Sequence, residues 1–212
     1  GVSERTIGRL SVYRRLLDSY RARGVGYVYS HELASLAGCT AAQVRRDLMV
    51  LGYSGTPTRG YEVAKLTEAI ATFIDDPQGQ SVALVGVGNL GRAILAYFSG
   101  RRPKLSIVAA FDSDVTKTNR LIHGCPCYPV DDLLEVARRE RIRIGIITVP
   151  ASEAQGVADR MEVAGIRGVL NFAPIVLRVP SHTYVVDMDI TVSLEKVAFF
   201  ARKGMLEKER RR

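Results

Sequence analysis

The sequence predicts an α/β protein, with a Rossmann-like, doubly wound parallel sheet preceded by a small winged-helix domain. From Ser81 onward, short apolar runs alternate with amphipathic segments, which is the pattern of parallel strands joined by helices. Before Ser81, two short helical segments joined by a glycine-containing turn precede a Gly- and Pro-punctuated segment, as in a winged helix-turn-helix. The expected units are residues 1–77 for the winged helix, 78–189 for the Rossmann-like domain and 190–212 for a C-terminal helix.

Composition agrees with one ordinary domain plus a small one, since 47% of the 212 residues are apolar. The net charge of +8 lies at the two ends, with +5 on residues 1–60, −1 on residues 61–199 and +4 on residues 200–212. A basic first unit favours a polyanion such as DNA as partner, although a merely solubilising face would have the same charge. The sequence has no membrane-length apolar run and only three cysteines, which predicts a cytoplasmic protein without a disulfide framework.

The first unit opens with three predicted helices. Helical spacing over residues 3–23 predicts the first, and Ser30 is the expected N-cap of a second that ends at Gly38. The third reads "TAAQVRRDLMVLG", in which Thr40 and Gln43 form a T-x-x-Q capping box. The last two form the expected helix-turn-helix.

A hairpin follows these helices and would serve as the wing. It reads "YSGTPTRGYEV", is flanked by Tyr53 and Val63, and leads into a predicted helix over Thr67–Ile74. Arg59 lies in this hairpin, where it can meet a phosphate or enter the minor groove, or be an ordinary turn charge.

The third helix carries the residues expected to read DNA. Its apolar residues Val44, Leu48 and Leu51 share one face. The polar residues on the opposite face would enter the major groove, as in a recognition helix, unless they are only solvated. They are Gln43, Arg45 and Arg46.

The second unit alternates strands and helices. Helices are expected near residues 89–99, 131–140 and 151–164, and a long amphipathic helix near 190–208. The predicted strands are Val82–Val85, Ile107–Phe111, Cys125–Tyr128, Ile142–Thr148, Gly168–Asn171, Ile175–Val179 and Tyr184–Val186.

The stretch "VALVGVGNLGRAILAYF" carries a dinucleotide fingerprint. Gly86, Gly88 and Gly91 follow an apolar strand and open a helix, and Asp112 ends the next strand 21 residues after Gly91. Such glycines permit the tight turn, the approach of the backbone to a pyrophosphate and close helix packing. Asp112 would accept hydrogen bonds from the adenosine ribose and repel a 2′-phosphate, which favours NAD(H) over NADP(H). A glycine turn without a ligand is the alternative.

No catalytic residue and no metal site is predicted. The histidines His31, His123 and His182 do not lie in a setting that suggests acid–base catalysis. The segment "HGCPC" lacks a fourth ligand and the C-x-x-C spacing of a zinc site, so Cys125 and Cys127 are expected in a half-buried strand.

Nearly the whole chain resembles the redox-sensing transcriptional repressor Rex family. The resemblance rests on "AAQVRRDLMVLG", "RGYEV", "VGVGNLGRAILAY", "FDSD", "ITVP", "GVLNFAP" and "VDMDITVSL", in the same order and with similar gaps. It implies a homodimer that exchanges its terminal helix between subunits. It also implies binding to double-stranded operator DNA when free or NAD⁺-bound, release on NADH binding, and no hydride transfer.

The resemblance also implies roles for individual residues. It assigns Gly86, Gly88, Asn89, Leu90 and Gly91 to the dinucleotide phosphates, Asp112 to the ribose, and Val87 to cofactor binding without a named part. Along the nicotinamide side it places Thr148, Val149, Pro150, Asn171, Phe172 and Ala173. The residues that would couple ligand state to DNA binding are Arg15, Tyr97 and Asp189.

This sequence departs from the family pattern at two places. The wing reads "GTPTRGY", so Pro57 replaces the usual arginine and Arg59 appears nearby. The third helix ends in Met49–Leu51 where the family usually has Ser-Tyr-Phe, and the operator preference therefore stays open.

Two other classes of function remain. One is an NAD-dependent dehydrogenase with an accessory N-terminal domain, against which the missing catalytic candidates count. The other is a nucleotide- or acyl-CoA-binding module whose basic N-terminal unit docks a protein.

Overall fold

A computed structural model describes residues 1–101 and 104–209. The chain divides into two compact units, Gly1–Pro77 and Gln78–Arg212. The last three residues of the predicted C-terminal segment lie outside the described residues.

The first unit contains four helices and a two-stranded sheet. Helix α1 begins after Ser3, whose hydroxyl accepts a hydrogen bond from the Thr6 amide at 3.2 Å. Its buried face packs Leu10, Tyr13 and Leu17 into the core of the unit. The elements are α1 (Glu4–Ala22), β1 (Tyr27–Val28), α2 (Ser30–Ala37), α3 (Ala41–Met49), β2 (Tyr61–Glu62) and α4 (Val63–Ile74).

One predicted N-cap is wrong, and one predicted capping box forms only in part. Tyr29, not Ser30, is the N-cap of α2, because the Glu32 carboxylate accepts a hydrogen bond from the Tyr29 amide at 2.6 Å. Thr40 does cap α3 by accepting from the Gln43 amide at 3.2 Å. The capping box is incomplete, since the Gln43 side chain donates to Asp47 instead of returning to Thr40.

The wing is built differently from the predicted hairpin. Strand β2 pairs antiparallel with β1, so Tyr61 lies opposite Val28. The predicted hairpin flanked by Tyr53 and Val63 does not form as such, because Tyr53 lies in no strand and an isolated bridge between Thr56 and Gly60 closes the loop. The helix predicted from Thr67 begins four residues earlier, directly at the end of β2.

The second unit is a seven-stranded sheet in the order β5-β6-β4-β3-β7-β8-β9. All neighbours pair in parallel except β5 with β6. The strands are β3 (Gln80–Val85), β4 (Leu105–Asp112), β5 (Arg120–Ile122), β6 (Cys125–Pro129), β7 (Ile144–Ile147), β8 (Gly168–Asn171) and β9 (Tyr184–Asp187). The helices are α5 (Asn89–Phe98), α6 (Leu133–Arg139), α7 (Ala151–Val163) and α8 (Ile190–Glu209), with a 3₁₀ turn at Val130–Asp132.

Helices cover both faces of this sheet. Along β3, Val82 and Leu84 belong to the core that includes Leu95 of α5, whereas Ala83 and Val85 belong to the core with α6 and α7. This alternation is the expected consequence of the two-residue side-chain period of a strand. The doubly wound α/β prediction is confirmed.

One predicted strand is wrong and one strand of the structure was not predicted. Residues 175–179 form no strand, because the Asn171 side chain donates to the Ile175 carbonyl at 3.0 Å and holds this segment as a loop. Strand β5 was missed because it is a three-residue edge strand. Its turn uses His123 and Gly124, both with positive φ, as in the tightest hairpins.

Candidate functional site

A buried carboxylate joins α1 to α3. The Arg9 guanidinium donates to both oxygens of Asp47, from Nε at 2.6 Å and from Nη2 at 2.7 Å. The Tyr13 hydroxyl donates to the same carboxylate at 2.9 Å, and so does the Gln43 side-chain amide. We call Arg9, Tyr13, Gln43 and Asp47 the Asp47 network. Because each Asp47 oxygen accepts two hydrogen bonds, the charge is fully satisfied although the residue is only 2% exposed.

The Asp47 network has a clear electrostatic signature. Burial opposes ionisation of Asp47, but hydrogen bonds from Arg9, Gln43 and Tyr13 outweigh it and lower the pKa of the carboxyl. Burial and contacts with Cys39 and Asp47 raise the pKa of Tyr13. The network is therefore an ionised clamp at neutral pH, which fixes the angle of α3 against α1.

The predicted DNA-reading residues lie on α3 and at the wing. Arg45 and Arg46 are exposed, and Arg45 Nη1 donates to the Ser30 hydroxyl at 3.1 Å. Gln43 is only partly exposed, because its side chain turns toward Asp47. Arg59 is exposed at the wing, with its guanidinium carbon 5.9 Å from the centre of the Tyr27 ring. The three arginines predicted to contact DNA are therefore all exposed, two of them on α3 and one at the wing.

Close packing requires two of the three glycines in the loop after β3. Gly86 adopts a φ of +103°, and a Cβ added there would lie 2.7 Å from the Thr148 carbonyl. A Cβ at Gly91 would collide with the Gly86 carbonyl oxygen. At Gly88 a Cβ would meet only open space, so the protein's own packing does not require glycine there. Gly88 therefore leaves open space beside the N-terminus of α5.

The Asp112 carboxylate stabilises this loop by hydrogen bonds to two backbone amides. Its Oδ2 accepts a hydrogen bond from the Val87 amide at 2.7 Å, and its Oδ1 accepts from the Asp114 amide at 2.9 Å. Lys117 Nζ lies 3.3 Å from Oδ2 and 3.7 Å from an Asp114 oxygen. The predicted ribose acceptor therefore also orders the loop, and a lysine partly neutralises its charge.

A cavity of about 550 Å³ opens at the carboxyl ends of the strands, in the size range of small-molecule sites. It includes six residues predicted for cofactor binding, namely Gly86, Gly88, Asp112, Thr148, Val149 and Pro150. Sequence reasoning missed several lining residues, including Asp114, Lys117, Ser152, Glu153, Gly156 and Arg160. Those on α7 recur at helical spacing, which could have identified them once the cavity-facing side of α7 was known.

The remaining predicted cofactor residues do not line this cavity. They are Val87, Asn89, Leu90, Gly91, Asn171, Phe172 and Ala173. Asn171 is completely buried, and its side-chain amide donates to Asp187 at 2.8 Å and to the carbonyls of Ala173 and Ile175. It holds the loop after β8, so its contribution to a ligand site is to shape that loop.

Two of the three predicted coupling residues lie on helices, one in each unit, and the third lies directly before α8. Arg15 is exposed on α1 in the first unit. Tyr97 on α5 is 58% exposed, and the Arg101 guanidinium lies 4.5 Å from the centre of its ring. Asp189 is the residue before α8 and accepts a hydrogen bond from the Val192 amide at 3.0 Å.

The described residues contain no cluster of three or more side chains suited to hold a metal ion. Cys125 and Cys127 are buried in β6, and burial raises the pKa of Cys125 to about 11. Within the same described ranges, no helix is long and apolar enough to cross a membrane.

Comparison with curated proteins decides the family. A redox-sensing transcriptional repressor Rex from Carboxydothermus hydrogenoformans is 42% identical over 95% of this chain and 97% of its own length. The Rex of Streptomyces coelicolor is 36% identical over 96% of this chain and 79% of its own length. The chain belongs to the Rex family. Family models described as "CoA binding domain" and "Putative DNA-binding protein N-terminus" match residues 78–175 and 1–48.

Solved Rex structures match both units. RSP, a Rex-family repressor, has been solved in complex with β-NAD⁺ and operator DNA. That structure matches with a TM-score of 0.88 at 31% identity, over 99% of this chain and 96% of RSP. RSP with β-NADH matches with a TM-score of 0.86 at 30% identity, over 98% of each chain. The Rex family thus has solved complexes with both dinucleotide forms.

Proposed function

We propose that this chain is a homodimeric repressor that binds operator DNA when free or NAD⁺-bound and releases it when NADH binds. One observation carries the proposal: an exposed cationic helix-turn-helix and a cavity lined by six of the predicted cofactor-binding residues lie on the same chain. The RSP complexes with NAD⁺ and operator DNA and with NADH support it. Binding DNA with one unit and a dinucleotide with the other lets the ligand control the DNA.

The cavity fits a dinucleotide. The N-terminus of α5 offers amide groups without intrahelical partners to a pyrophosphate, and Gly88 leaves the space through which it approaches. Asp112 and Asp114 would receive the adenosine ribose, and Thr148, Val149 and Pro150 would continue the site toward the nicotinamide. NAD⁺ and NADH differ there by the charge of one ring, which is the difference this site would sense.

The site is proposed to sense the dinucleotide without transferring hydride. The cavity residues that the structure describes include no His, Cys or Tyr. Lys117 lies beside Asp112, and Arg160 Nη1 donates to Asp131 at 2.6 Å, so both cations have carboxylate partners. The other ionisable residues of the cavity are the carboxylates Asp112, Asp114 and Glu153, so an acid or base of the His, Cys or Tyr type would have to come from elsewhere.

The dimer would be built on α8. Every side chain from Ile190 to Lys203 is exposed, and large apolar side chains among them are between 42% and 65% exposed. They are Ile190, Val192, Leu194, Val197, Phe199 and Phe200. An apolar surface of this kind marks a protein interface. A second copy of the chain is the proposed occupant, with α8 exchanged between subunits.

Communication between the units is proposed to use Arg15, Tyr97 and Asp189. In the DNA-binding arrangement Arg15 would pair with Asp189, while Tyr97 donates a hydrogen bond to the same carboxylate. The uncharged dihydronicotinamide would favour the arrangement that lacks this contact. A ligand shifts such an equilibrium only by its difference in affinity for the two arrangements.

The test is to select duplexes from a random pool with the full chain, once without ligand, once with NAD⁺ and once with NADH. We expect one enriched palindromic sequence in the first two selections and loss of its retention with NADH. Retention that is the same with all three would contradict the proposal. Incubation with NADH and a panel of small carbonyl compounds checks the absence of catalysis, and steady NADH oxidation would favour the dehydrogenase alternative.

A further inference from the structure

The exposed face of α3 combines two cations with one large apolar side chain. Ala42, Arg45, Arg46 and Met49 are spaced at i, i+3, i+4 and i+7, so they form one stripe along the helix. All four side chains are exposed and lie opposite the buried residues of the same helix. A face that reads DNA would therefore present a thioether at its C-terminal end.

Met49 is unusually open to solvent. It is 75% exposed, more than any other large apolar side chain of the first unit, where the next is Leu36 at 56%. Exposed apolar side chains gain free energy when an apolar group covers them. The flexible thioether of methionine adapts to irregular partners. Met49 is thus available for a partner that Arg45 and Arg46 bring close.

We propose that Met49 packs on the C5-methyl group of a thymine in the operator and so selects thymine at that position. This inference rests on the proposed function. The thymine methyl is the apolar group that the major groove presents to a recognition helix. The two guanidinium groups beside Met49 attract a polyanion, which makes DNA a better occupant of this face than an apolar protein surface.

The test replaces one thymine at a time by deoxyuridine in the selected duplex. Deoxyuridine keeps the hydrogen-bonding edges and removes only the methyl group. For the wild type we expect a loss of about fourfold in affinity at one thymine per half-site, the effect of one buried methyl group. Met49→Ser should bind the thymine and deoxyuridine duplexes equally at that position, with its sensitivity at other positions unchanged.

The matched control is Leu36→Ser, which removes an exposed apolar side chain of α2 instead of α3. It should keep the wild-type response to deoxyuridine at every position. The inference is overturned if no deoxyuridine replacement lowers the affinity of the wild type, or if Met49→Ser loses as much affinity as the wild type at the same thymine. Either result leaves the proposed NADH-controlled DNA binding standing. A wild type that retains no duplex overturns the proposed function and this inference together.

Discussion

At the scale of single residues, Arg46 is the cleanest test of the DNA-binding surface. It is exposed on α3, and its side chain shares a stripe with Arg45. Arg46→Ala should weaken operator binding by roughly 1–3 kcal/mol if the guanidinium contacts a base, with no change in NADH affinity. Fluorescence anisotropy with labelled operator measures the first and calorimetry the second. Arg138→Ala removes the same charge from the exposed end of α6 and serves as control. Wild-type DNA affinity in Arg46→Ala would reject this role.

Asp112 has two separable roles, and two substitutions distinguish them. Asp112→Ala leaves the buried Val87 amide without its acceptor, which costs about 1–3 kcal/mol and loosens the glycine loop. Asp112→Asn removes the charge but keeps one acceptor oxygen, which can still serve the Val87 amide, while the Asp114 amide loses its acceptor. We expect calorimetric titration to show a larger loss of NADH affinity for the Ala variant. We expect a narrower preference for NADH over NADPH in both variants, because the charge that repels a 2′-phosphate is gone. A wild type that binds NADH and NADPH equally would show that the acid does not face the ribose.

At the scale of elements, the Asp47 network sets the stability of α3 against α1. Replacing Arg9 by Met leaves the Asp47 carboxylate, which is 2% exposed, without its cation, and this should cost about 3 kcal/mol of unfolding free energy.

The pKa of Asp47 is lowered in the folded state, so the contribution of its ionised carboxylate to folding stability is present above the ordinary carboxyl pKa. That contribution is lost as the pH falls through the lowered folded pKa. Urea unfolding of the first unit between pH 2 and 7 should therefore show a shallower acid loss in Asp47→Asn than in the wild type. Parallel profiles would mean that other carboxyls dominate acid unfolding.

The same elements show what the sequence could predict. Helical spacing of apolar residues predicted α1 and α3, because it shows which face of a helix is buried. Short apolar runs between helices predicted most strands of the parallel sheet. It did not predict the pairing of β1 with β2, since a two-residue strand has no period to detect. Glycine spacing predicted the tight turn between β3 and α5, but the position of Lys117 beside Asp112 depends on a turn whose path the local sequence does not specify. The Asp47 network joins residues 38 positions apart and was likewise hidden from local patterns.

At the scale of the whole molecule, α8 carries the proposed dimer. Its apolar residues are exposed in the isolated chain, so a single charge introduced there should oppose association while leaving the fold of each unit unchanged. We expect Phe200→Glu to halve the mass measured by light scattering at micromolar concentration. Operator affinity should fall as well, because a dimer binds two half-sites together. Glu195→Gln on the same helix is the control and should remain dimeric. A Phe200→Glu variant with wild-type mass would place the interface elsewhere.

The link between dinucleotide and DNA is tested most sharply at Asp189, where capping and charge can be separated. Asp189→Asn keeps a side-chain oxygen for the Val192 amide, and asparagine is a good N-cap, so α8 should be preserved. It removes the charge that Arg15 would pair with. We therefore expect weaker DNA binding in the NAD⁺ state, unchanged NADH binding, and a smaller drop in DNA affinity when NADH is added. Asp189→Ala should add a loss of about 1 kcal/mol in helix stability from the missing cap, visible in thermal unfolding. If Asp189→Asn binds and releases operator as the wild type does, the charge is not part of the switch, and coupling must pass through the α8 interface.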